Sequence, residues 1–271
     1  MPRQPYPATA SQIARWVPES SREIAGNQNL VNYCSDSLKV EGKVAPTLIV
    51  GASRSGKTAT IKLMINTLFC ERTDGDSEGP CLECVTCRTN VAQYGQLGLD
   101  AQLRTDKKTA GRMMPLHFIP IDCTSHTEST FRDKMLELKD FDDGLRLIFL
   151  DEFHRLARRG LDEMLLKPLE EKNFAWWASC VTTQGLDQML LNRFCVRIRT
   201  QAPTVDALAE WLARRCHAWQ LQWDDPTTLI SLAERSSLIP GHALHALARA
   251  ATAPDRMLTR AMVENHCFDG T

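Results

Sequence analysis

Thr47-Leu48-Ile49-Val50-Gly51-Ala52-Ser53-Arg54-Ser55-Gly56-Lys57-Thr58 is the stretch on which the reading turns. A short apolar run enters a glycine-bounded turn ending in Lys-Thr, and Ile61, Leu63, Met64 and Ile65 follow at helical spacing. Strand, loop and helix in that order make a phosphate cradle. The glycines let backbone N–H groups curl around an anion, and the helix N-terminus adds a favourable dipole. Lys57 is placed to meet terminal phosphates and Thr58 to offer an oxygen to Mg2+. The candidate nucleotide-binding set is Gly51, Ala52, Ser53, Arg54, Ser55, Gly56, Lys57, Thr58 and Ala59. A chance glycine loop would lack the flanking strand and helix.

About a hundred residues later, Leu147-Ile148-Phe149-Leu150 runs into Asp151-Glu152-Phe153-His154. An acid at the C-terminal tip of a strand can sit beside a metal ion, which gives Asp151 the Mg2+ role. Glu152 is then set to orient or deprotonate an attacking water. Alone, an acidic pair reads as a solvated loop. With a phosphate cradle it completes what phosphoryl transfer needs, so hydrolysis of the bound nucleotide is expected and not binding alone.

Composition bounds the rest. The 271 residues are 43% hydrophobic and 24% charged, enough for a sizeable core and one or two domains. Net charge is −1, so no global basic field announces nucleic acid and any such contact must come from local patches. No apolar run approaches the ~20 residues that span a bilayer. Met1-Pro2-Arg3-Gln4-Pro5-Tyr6-Pro7 lacks the apolar centre of a secretion signal, and the expected location is the cytoplasm with no membrane partner.

There are ten cysteines, and four form a C-x10-C-x2-C-x2-C series: Cys70, Cys81, Cys84 and Cys87. They bracket a Gly-, Asp-, Ser- and Glu-rich stretch with little core of its own. Four thiolates on a structural Zn2+ would staple it, and free thiols are the alternative. Cys34, Cys123, Cys180, Cys195, Cys216 and Cys267 are scattered and read as small core residues.

The expected fold class is α/β: a P-loop NTPase parallel sheet with helices on both faces, followed by a small all-helical lid domain. Residues 1–20 read as an extended N-terminal arm. Residues 21–201 hold the nucleotide-binding domain, with strands at Thr47–Val50, Phe118–Asp122, Arg146–Leu150, Trp176–Val181 and Val196–Ile198. The cysteine module lies at 70–87, and an insertion at 88–117 carries Arg104, Lys107, Lys108 and Arg112, a charge run expected to face water. From 202 to 271 the strands are expected to stop. Helices start after Thr204 and at Asp225-Pro226, run His242–Ala251, and follow Asp255 with Leu258 and Met262.

These motifs resemble the AAA+ ATPases, and within them the zinc-bearing motor subunits of bacterial DNA clamp loaders. The resemblance is colinear over most of the chain. Glu23-Ile24-Ala25-Gly26-Asn27-Gln28 is similar to the family's adenine-side box, which implies a nucleotide contact at Ile24. The cysteine module follows the phosphate loop's helix, as in those subunits. The run Asp151 to Leu156 and Leu165 to Glu171 is similar almost position by position. Thr182-Thr183 stands at the sensor-1 position, with Thr183 favoured for contact with the terminal phosphate or its water. Leu191-Asn192-Arg193-Phe194 resembles the arginine-finger segment, also close to its form in the Holliday-junction branch-migration motor. The resemblance implies that Arg193 reaches a neighbouring subunit's nucleotide, whereas the bland reading is a surface arginine.

Departures matter as well. Where the family's lid supplies a sensor-2 arginine, His242 stands, with Arg249 two turns on. The family's collar domain is not expected after the lid, and assembly is expected to rest on AAA+ faces or on another protein. Three functions remain open. The first is an oligomeric ATPase acting in a DNA-associated process such as replication, repair, recombination, or a mobile-element or defence function, with Arg155, Arg158 and Arg159 as candidate DNA contacts and a protein client unspecified. The second is a nucleotide-binding scaffold with little or no hydrolysis, assembling with other AAA+ subunits; the intact Lys57, Thr58, Asp151 and Glu152 speak against it. The third is a small-molecule P-loop kinase, disfavoured by the Asp-Glu pair and the helical lid.

Overall fold

The structure is a computed structural model and describes residues 7–39, 44–68, 70, 72, 79–84, 87, 117–125, 127–137, 146–170 and 174–265. The insertion at 88–117 therefore lies outside the described residues except for His117, as do Glu171 and Cys267. Along the chain run α1 (Ala10–Ala14), α2 (Gln28–Lys39), β1 (Thr47–Val50), α3 (Lys57–Leu68), β2 (His117–Asp122), α4 (Glu128–Glu137), β3 (Arg146–Asp151), α5 (His154–Ala157), β4 (Phe174–Cys180), α6 (Gln188–Arg193), β5 (Val196–Arg199), α7 (Val205–Ala218), β6 (Gln222–Trp223), α8 (Pro226–Arg235), α9 (Pro240–Ala250), β7 (Met257–Leu258) and α10 (Arg260–Glu264). Two compact units divide them. One comprises Asn29–Gly51 and Ile61–Arg199; the other comprises Met1–Gln28, Ala52–Thr60 and Thr200–Thr271.

The first unit is built on a five-stranded sheet in the order β2-β3-β4-β1-β5, with every pairing parallel. Central parallel strands covered on both faces need near-continuous apolar runs, and Thr47–Val50 and Phe174–Cys180 supply them. The edge strand β5 instead alternates, with Arg197 and Arg199 exposed. Strand alternation then sends neighbours to opposite faces. Leu48, Ile148, Trp176 and Ala178 join Phe131, Phe153, Leu156, Leu190 and Phe194 in one core. On the other face, Trp177 meets Tyr33 of α2 with ring centroids 5.7 Å apart, so helices cover both sides as the sequence predicts. Each buried aromatic of that core contributes about 1.5–3 kcal/mol by leaving water. The indole N–H of Trp176 is satisfied by Pro168 O at 3.0 Å.

The second unit gathers Leu208, Trp211, Leu212, Leu229, Leu232, Ala243, Leu247, Leu258 and Val263 into its own core. Helix starts fall where short polar side chains can take up end N–H groups. Thr204 accepts from Ala207 N, and Asp225 accepts from Thr227 N ahead of Pro226. The last helix departs from expectation: it starts at Arg260, capped by Thr259. Asp255 instead accepts from Met257 N, and Met257–Leu258 pairs in parallel with Gln222–Trp223, so strands do recur after residue 202. The Asp224 carboxylate fixes this corner through Thr228 Oγ1 at 2.7 Å and Arg260 N at 2.9 Å.

The segment 1–20 carries the helical turn α1, closed by a capping box between Thr9 and Gln12. Ile13 is buried in the helical core, and Trp16 meets Trp211 and Trp219 edge-on at 5.7 and 5.8 Å. Arg215 lies 5.0 Å over the Trp16 ring. Among the described residues, no helix is long and apolar enough to cross a membrane.

Candidate active site

The phosphate loop starts where β1 ends. Gly51 N–H donates to Cys180 O at 3.0 Å, which extends the ladder with β4 by one rung. Beyond it the chain turns through Arg54 at φ 61° and Gly56 at φ 88°, and Thr60 N closes onto Gly56 O at 2.9 Å as α3 begins. A non-glycine residue in the left-handed region costs about 1–2 kcal/mol, so Arg54 is held there by its surroundings. Lys57 Nζ donates to Ala52 O at 2.8 Å, which folds the ammonium back over its own loop.

The entry segment Glu23–Gln28 is bound to the same loop. Asn27 Nδ2 donates to Ser55 O at 2.7 Å, and Asn27 N–H to Gln201 O at 2.9 Å. Gly26, at φ 74°, has no room for a side chain: a Cβ would meet Gln201 O at 2.5 Å. Trp211 Nε1 donates to Glu23 O at 2.6 Å, and Arg215 pairs with the Glu23 carboxylate at 2.6 Å. Ile24 between these anchors is partly buried.

Helix α9 touches the loop through Arg54. Gly241 N–H donates to Arg54 O at 3.1 Å, and the Arg54 guanidinium is hydrogen-bonded to His245 Nε2. Burial first, and the Arg54 charge second, hold the His242 imidazole below its ordinary value, against a backbone hydrogen bond at Ser236. Arg249 is exposed in the last turn. Gly241 and His245 escape sequence reasoning because a glycine in the first turn and a solvent-facing histidine both have ordinary explanations.

The acidic pair closes β3. Ser179 Oγ, from β4, donates to Asp151 Oδ1 at 2.5 Å. Glu152 N–H faces both Asp151 Oδ1 at 3.1 Å and Ser179 Oγ at 3.2 Å, while Phe153 N–H reaches Ser179 O at 2.8 Å. This clamp turns the backbone sharply and leaves Glu152 at φ 55°. The Glu152 side chain is 28% exposed, and its Oε2 lies 3.5 Å from Nε2 of the buried His154. Next to it, Asp122 pairs in register with Asp151 at the ends of β2 and β3, and Asp122 Oδ1 accepts from Thr124 N and Oγ1. Burial lowers the Lys62 ammonium's pKa, and the Asp151 and Asp122 charges work against that shift. Burial first, then Asp151, Asp122 and Glu152, push the Cys123 thiol well up. Asp122, Asp151 and Glu152 thus gather at one corner of the sheet, with Lys62 and Arg159 as the nearby cations.

Ser179, Asp122 and Lys62 are functional candidates that the sequence did not single out. One signal was present for Ser179, a lone hydroxyl inside the buried run Phe174–Cys180. Thr183, by contrast, lies past the end of β4 and is partly buried, with its carbonyl accepting from Leu186 N. Arg193 is the last residue of α6 and pairs with Glu170 at 2.6 Å, both side chains well exposed. Arg155, Arg158 and Arg159 are exposed too, and Arg159 donates to Thr124 O at 3.0 Å.

Cys70, Cys81, Cys84 and Cys87 come together with all sulfurs within 4.8 Å of one another. Cys70 and Cys84 sulfurs are 4.0 Å apart, close to the ~3.8 Å edge of a tetrahedron with ~2.3 Å zinc–sulfur bonds. Backbone N–H groups of Cys81, Glu83, Cys84 and Cys87 point at sulfurs at 3.3–3.4 Å, which favours thiolates. The N–H of Glu83 leads in lowering the Cys81 thiol to about 6, whereas burial leads in raising Cys87. The donor set fits a closed structural zinc site. Of the other cysteines, Cys34, Cys123, Cys180 and Cys216 are buried as expected, but Cys195 is exposed because Phe194 takes the inward position beside it.

No family model matches the chain. DNA polymerase III subunit tau/gamma of Haemophilus influenzae is 23% identical over 256 residues, 93% of this chain and 34% of that protein. The gamma subunit of Buchnera aphidicola from Acyrthosiphon pisum is 26% identical over 164 residues, 58% of this chain and 38% of its own length. The chain thus spans little more than a third of these curated relatives. Among solved structures, the Holliday junction branch migration motor RuvB of Thermotoga maritima superposes with a TM-score of 0.57 at 16% identity, covering 93% of this chain and 72% of that one. The Aeropyrum pernix ORC1 protein in complex with DNA gives 0.59 at 14% identity, covering 94% and 68%. The chain therefore has the AAA+ P-loop fold of RuvB and ORC1, and in sequence it resembles the gamma and tau subunits of bacterial DNA polymerase III.

Proposed function

We propose that this chain is a clamp-loader-like AAA+ ATPase that hydrolyses ATP and works, with copies of itself or other AAA+ subunits, in a DNA-associated process. The observation that carries this reading is the Ser179–Asp151–Glu152 clamp. It stands at the carboxyl edge of the sheet, where only β4 separates β3 from the strand that runs into the phosphate loop. Such an edge is where parallel α/β sheets bind ligands.

The roles follow from residue chemistry. Backbone N–H groups of residues 53–57 and the Lys57 ammonium grip phosphates. Thr58 and Asp151 would hold Mg2+, which when bound neutralises charge on the phosphates. Ser179 keeps Asp151 aimed. Glu152, held by its backbone, orients the attacking water and takes its proton, and Thr183 contacts that water or the terminal phosphate. Ile24 lies on the base side and His242 on the lid side of the nucleotide. Arg193 crosses to a neighbouring subunit and exchanges Glu170 for phosphate. The four cysteines hold structural zinc. Arg155, Arg158 and Arg159 offer phosphate contacts to DNA, in line with relatives that are named as a DNA polymerase subunit or were solved with DNA.

Turnover of ATP by the unsubstituted chain and by Glu152→Gln tests this reading. The variant is expected to bind ATP with unchanged affinity and to lose hydrolysis. Binding without turnover in the assembled, unsubstituted protein would replace this reading with the scaffold function.

A further inference from the structure

Arg54 joins two parts of the molecule that a nucleotide would have to address. It belongs to the phosphate loop, in a left-handed backbone conformation that favours glycine. Its guanidinium is hydrogen-bonded to His245 Nε2, and since a guanidinium only donates, the imidazole accepts there with its proton on Nδ1. Its carbonyl receives the Gly241 N–H at 3.1 Å. Only glycine permits that approach, because a Cβ at position 241 would meet Arg54 Cβ at 2.6 Å and Arg54 O at 2.7 Å. Burial, and then the Arg54 charge itself, lower the pKa of the neighbouring His242 imidazole. One residue of the loop therefore fastens the first half of α9.

We propose that Arg54 is a positioning residue through which α9 reads the nucleotide: its guanidinium divides between His245 and the terminal phosphate, so a triphosphate draws it off His245 and loosens α9, whereas a diphosphate leaves the pair intact. This rests on residues 51–58 being a nucleotide site. A guanidinium fork binds phosphate oxygens through charge-assisted bonds stronger than the one it makes to a neutral imidazole. The terminal phosphate is thereby given a differential affinity for the two positions of Arg54, which is what a population shift requires. The Lys57 ammonium, by contrast, donates to Ala52 O of its own loop at 2.8 Å.

The test combines fluorescent-nucleotide binding with amide hydrogen exchange over residues 240–250, using the full chain. Slowly hydrolysed mant-ATPγS is expected to speed exchange in α9 of the unsubstituted protein, and mant-ADP is not. Arg54→Ala is expected to weaken mant-ATPγS by about tenfold, the scale of one charge-assisted hydrogen bond, and mant-ADP by less than about threefold. Its α9 should exchange fast with no ligand and respond to neither nucleotide. His245→Gln, a change at an exposed position that leaves the loop untouched, should tighten mant-ATPγS and have no effect once Arg54 is alanine. Arg54→Lys should fall between the two, retaining charge without the fork. Equal losses for both nucleotides, additive effects of the two substitutions, or an α9 that ignores mant-ATPγS although it binds would overturn the proposal. Failure of the unsubstituted chain to bind either nucleotide would overturn the nucleotide site, and this proposal with it.

Discussion

Ser179 shows how one hydroxyl can decide the use of a carboxylate. It donates to Asp151 at 2.5 Å, lies beside the Glu152 N–H, and is fully buried, so it fixes both acids without being available to substrate. Outer-shell partners of this kind typically change activity by about 10–100-fold when removed. Ser179→Ala is therefore expected to keep ATP affinity and lower turnover by that factor, with Ser179→Thr retaining part of it. Unchanged steady-state turnover would show that Asp151 needs no such support. At this scale the sequence marks candidates where chemistry is coded by neighbours: Lys57, Thr58, Asp151 and Glu152 each stand just after an apolar strand or its loop. Ser179, Asp122 and His245 are not marked, because each acts on a residue distant along the chain, and a single serine, aspartate or histidine carries no local pattern.

Elements were easier to read than their ends. All five main strands were foreseen in place, since buried parallel strands are written as apolar runs. The pair β6–β7 was missed because two-residue strands have no periodicity; Asp224 and the fold around it create them. That corner makes a pH prediction. Thr228 leads in lowering the Asp224 carboxyl below its ordinary value, followed by the Arg260 N–H; Thr227 does the same for Asp225. Depressed folded-state values mean that folding favours the charged forms. The contribution is present above the unfolded carboxylate value of ~3.9 and is lost as pH falls through the lower folded values. Thermal unfolding of the helical unit is expected to occur at lower temperature at pH 3 than at pH 6, with a smaller difference in an Asp224→Asn, Asp225→Asn variant. An equal difference in both proteins would remove these groups from the account. The cysteine element is tested by metal analysis: one zinc per chain in reduced protein, lost with unfolding of this segment in Cys84→Ser. Reduced, intact protein without zinc would leave four free thiols.

At the scale of the whole molecule, catalysis is expected to need more than one chain. Arg193 sits at the exposed end of α6, paired with Glu170 of the same chain, a contact that solvent screens and that a phosphate can replace. Specific activity is expected to rise with protein concentration, and Arg193→Ala and Glu152→Gln should each be inactive alone. Mixed, they should recover part of the turnover, because a site with intact Glu152 can then receive Arg193 from its neighbour. No recovery in mixed oligomers would confine catalysis to a single chain. Beneath all of this lies the claim that Gly51–Thr58 and Asp151–Glu152 serve one Mg2+-bound triphosphate. A crystal structure of the chain with an ATP analogue and Mn2+, located by its anomalous signal, tests it most directly. The expected result is one ion bonded to Thr58 Oγ1 at about 2.1 Å, with Asp151 holding it directly or through one water and Glu152 facing the terminal phosphate. An ion and phosphates at the loop with Asp151 and Glu152 turned to another surface would contradict it.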